Sequence, residues 1–220
     1  MNKILFSLTI FLFSFMLVTQ TRAERVSLNE QKKAVEQLIS RILPDLKDSF
    51  NVEITNVGLK DGFEIDDQGG KIILRGSSGV NAASALNYYL KNIANCQISW
   101  HSKNLNIPSP LPRPGVRIVK ETPYQYRYYF NYCTFNYSMS WWDWERWEKE
   151  IDFMALNGIN MPLALTGQNI IWDRVYKRMG FTEKDLSTFF SGPAYFNWFW
   201  MGNLDGWGGP LPQSWMKSHE

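Results

Sequence analysis

The first apolar run, Ile4 to Val18, is unbroken, with Lys3 ahead of it and small residues at Thr21 and Ala23 behind. That is the pattern of a secretory leader cut after Ala23, and the run is shorter than the roughly 18 or more apolar residues a membrane-crossing helix needs. Next, Ala34, Val35, Leu38, Ile39 and Ile42 recur at helical spacing, opened by a Ser27–Glu30 capping box and stopped by Pro44. Three short β-branched or alternating runs follow, around Val52 and Ile54, Phe63 and Ile65, and Ile72 and Leu74, and they predict strands. Gly76 to Gly79 turns into a second amphipathic helix over Val80 to Ala94, on a stripe of Ala82, Ala83, Leu86, Tyr89, Leu90 and Ile93. A last short strand is expected over Gln97 to Trp100.

Pro108, Pro110, Pro112 and Pro114 then impose an extended stretch that excludes helix, and a domain boundary is placed there. Beyond it, Tyr126 to Phe130 and Ile159 to Leu165 read as strands, although Pro162 weakens the second by removing a ladder donor. Between them, Trp144, Trp147, Ile151 and Met154 mark one face of a helix closed by Gly158. Asn169 to Met179, closed by Gly180, and a short turn capped by Thr182 and Asp185 are also helical, whereas Gly192 to Trp215 reads as loop. Strand alternating with helix implies parallel βα units. The expected layout is therefore a leader at 1–23, a small α/β domain at 24–115 and a second, α/β domain at 116–220.

Charge narrows the partners. Removing Lys3 and Arg22 from the 23 basic residues leaves 21 against 21 acidic ones, so the mature chain is formally neutral. Such a chain lacks the basic stripe that nucleic acid or an anionic membrane demands. The two cysteines, Cys96 and Cys133, cannot build a disulfide scaffold, and His101 and His219 have no ligand-spaced companions for a metal. No cofactor is expected. The Gly76–Gly79 turn lacks the Lys and Ser/Thr ending of a phosphate loop and reads as a plain strand-to-helix connection.

In parallel βα folds that close into a barrel, working residues sit after the carboxyl ends of strands. That rule selects Asn131, Cys133, Thr134 and Tyr137 after the first strand, and Thr166, Gly167 and Gln168 after the second. Their amide, hydroxyl, thiol and phenol groups suit a neutral polyol, and Trp198, Trp200 and Trp207 offer flat faces on which a pyranose stacks. Trp144, Trp147 and Trp172 are expected to fill helix-to-strand packing instead. Glycoside hydrolysis needs two carboxylates roughly 5 Å apart for retention, or more than about 6.5 Å for inversion, and no convincing pair is present. Asp143, Glu145, Glu148, Glu150 and Asp152 fall at spacings typical of a solvated helix face. The sequon Asn136-Tyr137-Ser138 lies in the proposed pocket loop and is read as coincidence.

A resemblance sharpens these expectations. The strings Tyr-Arg-Tyr-Tyr from Tyr126, Asn131 with Cys133-Thr134, Ser-x-x-Trp-Trp-Asp-Trp, and Met-Ala-Leu-Asn-Gly-Ile-Asn from Met154 resemble the α-N-acetylglucosaminidases, glycoside hydrolase family 89. Further strings continue in order: Gly167-Gln168, Ile171-Trp172-x-Arg-Val-Tyr, Phe-Phe-x-Gly-Pro-Ala ending at Ala194, and Gly209-Pro-Leu-Pro-x-Ser-Trp. The resemblance implies a small α/β domain followed by the first βα units of an incomplete (β/α)8 TIM-type barrel. It also implies a retaining exo-enzyme for terminal α-linked N-acetylglucosamine, with Asn131, Cys133, Tyr137 and Trp198 lining the sugar pocket. The family's two catalytic glutamates lie on later barrel strands, so no catalytic residue is assigned here and the missing carboxyl-terminal part is an expected partner. Localisation is expected to be secreted or periplasmic, or lysosomal in a eukaryote. The rival expectation is a non-catalytic secreted glycan-binding protein. Residues 24–115 are expected to fold alone, and the later ones to order poorly without the rest of a barrel, whose strand edges they would leave unpaired.

Overall fold

A computed structural model describes residues 26–55, 60–165 and 167–218; the leader lies outside them. Helix α1 (Leu28–Ile42) opens on the predicted box, with the Ser27 hydroxyl accepting from the Glu30 amide and the Glu30 carboxylate accepting from the Ser27 amide. Its apolar face, Val35, Leu38, Ile39 and Ile42, is buried. A 3-10 turn, Pro44–Ser49, leads into strand β1 (Phe50–Ile54). Strands β2 (Gly62–Gln68) and β3 (Lys71–Gly76) form a hairpin joined by Gly69 and Gly70, both at positive φ as such a two-residue turn requires. Helix α2 (Gly79–Asn92) then returns across the sheet.

The core lies between the two helices and one sheet face, where Val52, Ile65, Ile72 and Leu74 meet Ala82, Leu86, Tyr89 and Leu90. Each fully buried aliphatic side chain contributes about 1.5–3 kcal/mol of transfer free energy. Tyr89 packs edge-on against Phe50, and its hydroxyl donates to the Pro112 carbonyl at 2.7 Å, tying the proline stretch to α2. The opposite sheet face carries buried Ile73 among charged side chains. Buried Glu64 accepts there from Arg75 and Arg117, and Glu53 accepts from Arg75 at 2.6 Å. At the strand-to-helix turn, the Asn81 amide donates to the Ser78 hydroxyl and the Gly79 amide to the Gln31 side-chain carbonyl.

Two details extend the expected layout. The predicted strand over Gln97 to Trp100 is a short hairpin, β4 (Gln97–Ile98) with β5 (Lys103–Asn104), and Trp100 lies at its tip. A strand not anticipated, β6 (Ile118–Glu121), lies beyond the prolines yet pairs antiparallel with β2, giving the sheet order β1-β3-β2-β6.

The second region begins with β7 (Tyr128–Tyr129), parallel to β8 (Met161–Pro162), connected by two 3-10 turns and helix α3 (Trp144–Leu156). This is the predicted βα unit with shorter strands. Met161 donates to Arg127 and Leu163 to Tyr129, so the donor that Pro162 lacks faces away from β7 and breaks no bond of this pair. Helix α3 is bound to the first region: Ser84 donates to the Ala155 carbonyl, Arg41 clasps Asp152 at 2.8 and 2.6 Å, and Leu156 enters the first core. Helices α4 (Gln168–Arg178) and α5 (Glu183–Leu186) follow as expected, the latter with the Thr182–Asp185 capping box intact. The stretch expected as loop holds two short helices, α6 (Phe196–Trp200) and α7 (Gln213–Ser218), ordered by aromatic packing against Phe135, Met139 and Phe190. Among the described residues no helix is long and apolar enough to cross a membrane.

Candidate functional site

The carboxyl end of β7 opens into a cavity of about 510 Å³. Its floor is Tyr128, Tyr129 and Phe130; Asn131, Thr134 and Tyr137 come from the following turn, and Trp100 reaches in from the first region. Phe130 sits at φ +72°, a strained value for a bulky side chain, and this twist directs the chain into the turn that presents Asn131. There the Asn131 side-chain carbonyl accepts from the Thr134 amide at 3.1 Å, while the Thr134 hydroxyl donates to the Asn131 backbone carbonyl at 2.7 Å.

Of the predicted residues, Asn131 and Tyr137 line the cavity. Trp198, on α6, packs edge-on against the Tyr137 ring at 6.1 Å and so backs one wall without lining it. Cys133 heads the 3-10 turn Cys133–Asn136, half-buried and unpaired, beside the cavity and not in its lining. Gly167 precedes α4 at positive φ and Gln168 opens that helix; Thr166 lies outside the described residues. Trp200 is no open stacking face, because its indole N–H donates to Asn169 and its ring packs on Phe196. Trp207 stays exposed against Tyr195. Trp147 packs against Phe135 as anticipated, whereas Trp144 is 69% exposed and fills no core.

The sequon asparagine, Asn136, is buried and its side-chain carbonyl accepts from the Asn197 amide at 3.2 Å. A buried acceptor gives a glycosylating enzyme no access in the folded state.

The acidic helix departs most from expectation. Glu145 pairs with Lys149 on a solvated surface, and Asp143 caps α3 by accepting from the Arg146 amide. Glu150, however, is 0% exposed, and Asp152 is 9% exposed under Arg41. Glu150 accepts from the Trp100 indole at 2.8 Å, the Tyr129 hydroxyl at 3.1 Å and Arg146 at 3.0 Å. Burial, reinforced by the Glu150 charge, pushes the Tyr129 phenol up to about 12, so it stays a donor. Arg146 also lies 3.8 Å over the Trp142 ring, a close cation–π contact. Sequence reasoning missed Trp100; the available signal was its isolation, as the single tryptophan ahead of Trp141.

No carboxylate lines the cavity, which offers amide, hydroxyl and aromatic groups with the Met139 thioether. The model of the α-N-acetylglucosaminidase (NAGLU) N-terminal domain matches residues 33–113, and that of the α-N-acetylglucosaminidase (NAGLU) tim-barrel domain matches residues 127–220. The chain belongs to the α-N-acetylglucosaminidase family. Human α-N-acetylglucosaminidase is 45% identical over 188 residues, covering 83% of this chain and 25% of the human protein. A family 89 glycoside hydrolase from Clostridium perfringens, solved with 2-acetamido-1,2-dideoxynojirmycin, superposes at a TM-score of 0.83 and 39% identity, covering 87% of this chain and 22% of that one. A doubly substituted form from the same organism, solved with its substrate GlcNAc-α-1,4-galactose, gives 0.82 and 40% over the same shares. The chain thus spans about a quarter of the length of these α-N-acetylglucosaminidase relatives.

Proposed function

We propose that this chain forms one side of the sugar site of a retaining exo-α-N-acetylglucosaminidase, whose catalytic glutamates lie in polypeptide beyond these residues. The observation that carries this reading is the cavity at the carboxyl end of β7, lined by uncharged donors and aromatic rings with no carboxylate among them. Neutral hydrogen-bonding groups and ring faces match a terminal N-acetylglucosamine, which carries no charge. The Asn131 NH2 and the Tyr137 hydroxyl bind the sugar's oxygens, Trp198 holds the Tyr137 ring in place, and Cys133 stands beside the cavity in the turn that carries these residues. Hydrolysis with retention needs two carboxyl groups roughly 5 Å apart, a proton donor and a nucleophile. This chain positions and desolvates the sugar against them. The leader at 1–23 directs export, to the periplasm, the medium or a lysosome according to host.

The complete gene product is expected to release a chromogenic aglycone from an α-N-acetylglucosaminide, and this chain alone to release none. Release from the β-linked isomer instead would refute the assignment. Saturable binding of N-acetylglucosamine by the complete product without any hydrolysis would replace it with a glycan-binding role.

A further inference from the structure

A carboxylate with no solvent contact costs several kcal/mol unless charge and hydrogen bonds compensate it. Glu150 is such a group, and its three donors come from three separate elements: Trp100 at the β4–β5 tip, Tyr129 on β7 and Arg146 on its own helix. A buried ion pair is weak evidence for a stabilising role, because well-packed apolar side chains of equal volume often hold such a position as well or better. What the arrangement does accomplish is orientation. Trp100 and Tyr129 both line the cavity at the end of β7, and Glu150 stands behind both. The Arg146 guanidinium lies 5.2 Å over the Trp100 ring, so the indole is fixed at its N–H and across one face.

We propose that Glu150 is a positioning residue that locks Trp100 and Tyr129 as a fixed wall of the sugar cavity, and that through Trp100 the amino-terminal region contacts the bound sugar. The proposal rests on the cavity being the sugar site. The amino-terminal region then supplies a binding surface in addition to support for the barrel, and Glu150, though it touches no ligand, sets the cost of ordering that surface on binding.

The complete gene product and its Trp100→Ala, Trp100→Phe and Glu150→Gln variants are compared by calorimetric titration with N-acetylglucosamine, by KM and kcat on an aryl α-N-acetylglucosaminide, and by thermal midpoint. Trp100→Ala is expected to weaken sugar binding about tenfold. Trp100→Phe keeps a ring but loses the Glu150 bond, and Glu150→Gln keeps the shape but loses the charge. Both are expected to raise KM by roughly 3–10-fold with kcat changed by less than about twofold, the pattern of binding lost equally from the ground and transition states. Should Glu150→Gln fail to fold, Trp100→Phe gives the same reading. The proposal is overturned if the variants lower only the thermal midpoint and leave affinity and KM within about twofold of the unsubstituted protein. If the unsubstituted protein itself binds no N-acetylglucosamine, the sugar-site reading falls and takes this proposal with it.

Discussion

Phe130 holds φ at +72°, where the Cβ of any L residue crowds its own backbone. Changing it to alanine removes the ring that packs on Phe135 at 5.3 Å and Trp147 at 6.4 Å but keeps the Cβ and its strain; changing it to glycine removes both. The difference between the two variants therefore isolates the backbone. A left-handed conformation costs a Cβ-bearing residue about 1–2 kcal/mol. Against this, glycine's extra freedom in the unfolded chain costs about 0.4–1 kcal/mol. The balance favours Phe130→Gly over Phe130→Ala by roughly 0.5–1 kcal/mol, opposite to the usual order in regular structure. In a chain of this length that is a gap of about 1–4 °C in thermal midpoint, readable by circular dichroism. Both variants should melt below the parent, since both lose the ring. An alanine variant as stable as the glycine variant, or more so, would show that residue 130 does not adopt this conformation in solution, and the account of how Asn131 is presented would fall with it.

Asp61 accepts from Arg127 and Asn81; burial alone raises its carboxyl, but those bonds outweigh it and hold the group below its ordinary 3.8. The folded value being the lower one, its stabilisation is present above 3.8 and lost as pH falls through the folded value. Asp61→Asn should accordingly lower the thermal midpoint near neutral pH and flatten its decline on acidification; an unchanged acid limb contradicts this. Cys96 is buried with its thiol pushed up by burial, whereas Cys133 is half-buried, so iodoacetamide under native conditions should modify Cys133 first by peptide mass mapping. Equal labelling rates would count against the placement of Cys96. Gly76→Ala would set a Cβ against the Ala82 amide and 2.7 Å from the Ser78 carbonyl, and should cost about 1–3 kcal/mol in urea unfolding; a neutral result would mean the turn is looser than drawn.

The elements that could be read in advance are those whose signals are local. Ser27 with Glu30 opens α1 and Thr182 with Asp185 opens α5, because a capping box is closed within four residues. Glu150 and Asp152 were misread for the complementary reason. Their spacing along α3 looks like a solvated face, but Trp100 lies 50 residues away and Arg41 111, and nothing in a helical repeat encodes such partners. The same holds for β6, whose register with β2 joins residues on either side of the proline stretch, and for α6 and α7, which aromatic packing orders in a segment of turn-like composition. Of the candidate site, the βα rule found Asn131 and Tyr137 because strand ends are local features. It missed Trp100, which arrives from the other region.

The late arrival of β6 bears on how the protein is made. A ribosome delivers β2 well before Ile118–Glu121, and α3, which carries Leu156 into the same core, later still. Amino-terminal units usually fold as they emerge. Here the nascent sheet must wait with one side of β2 uncovered, so a pause in translation just after the prolines would prolong the interval in which that side is open to mispairing.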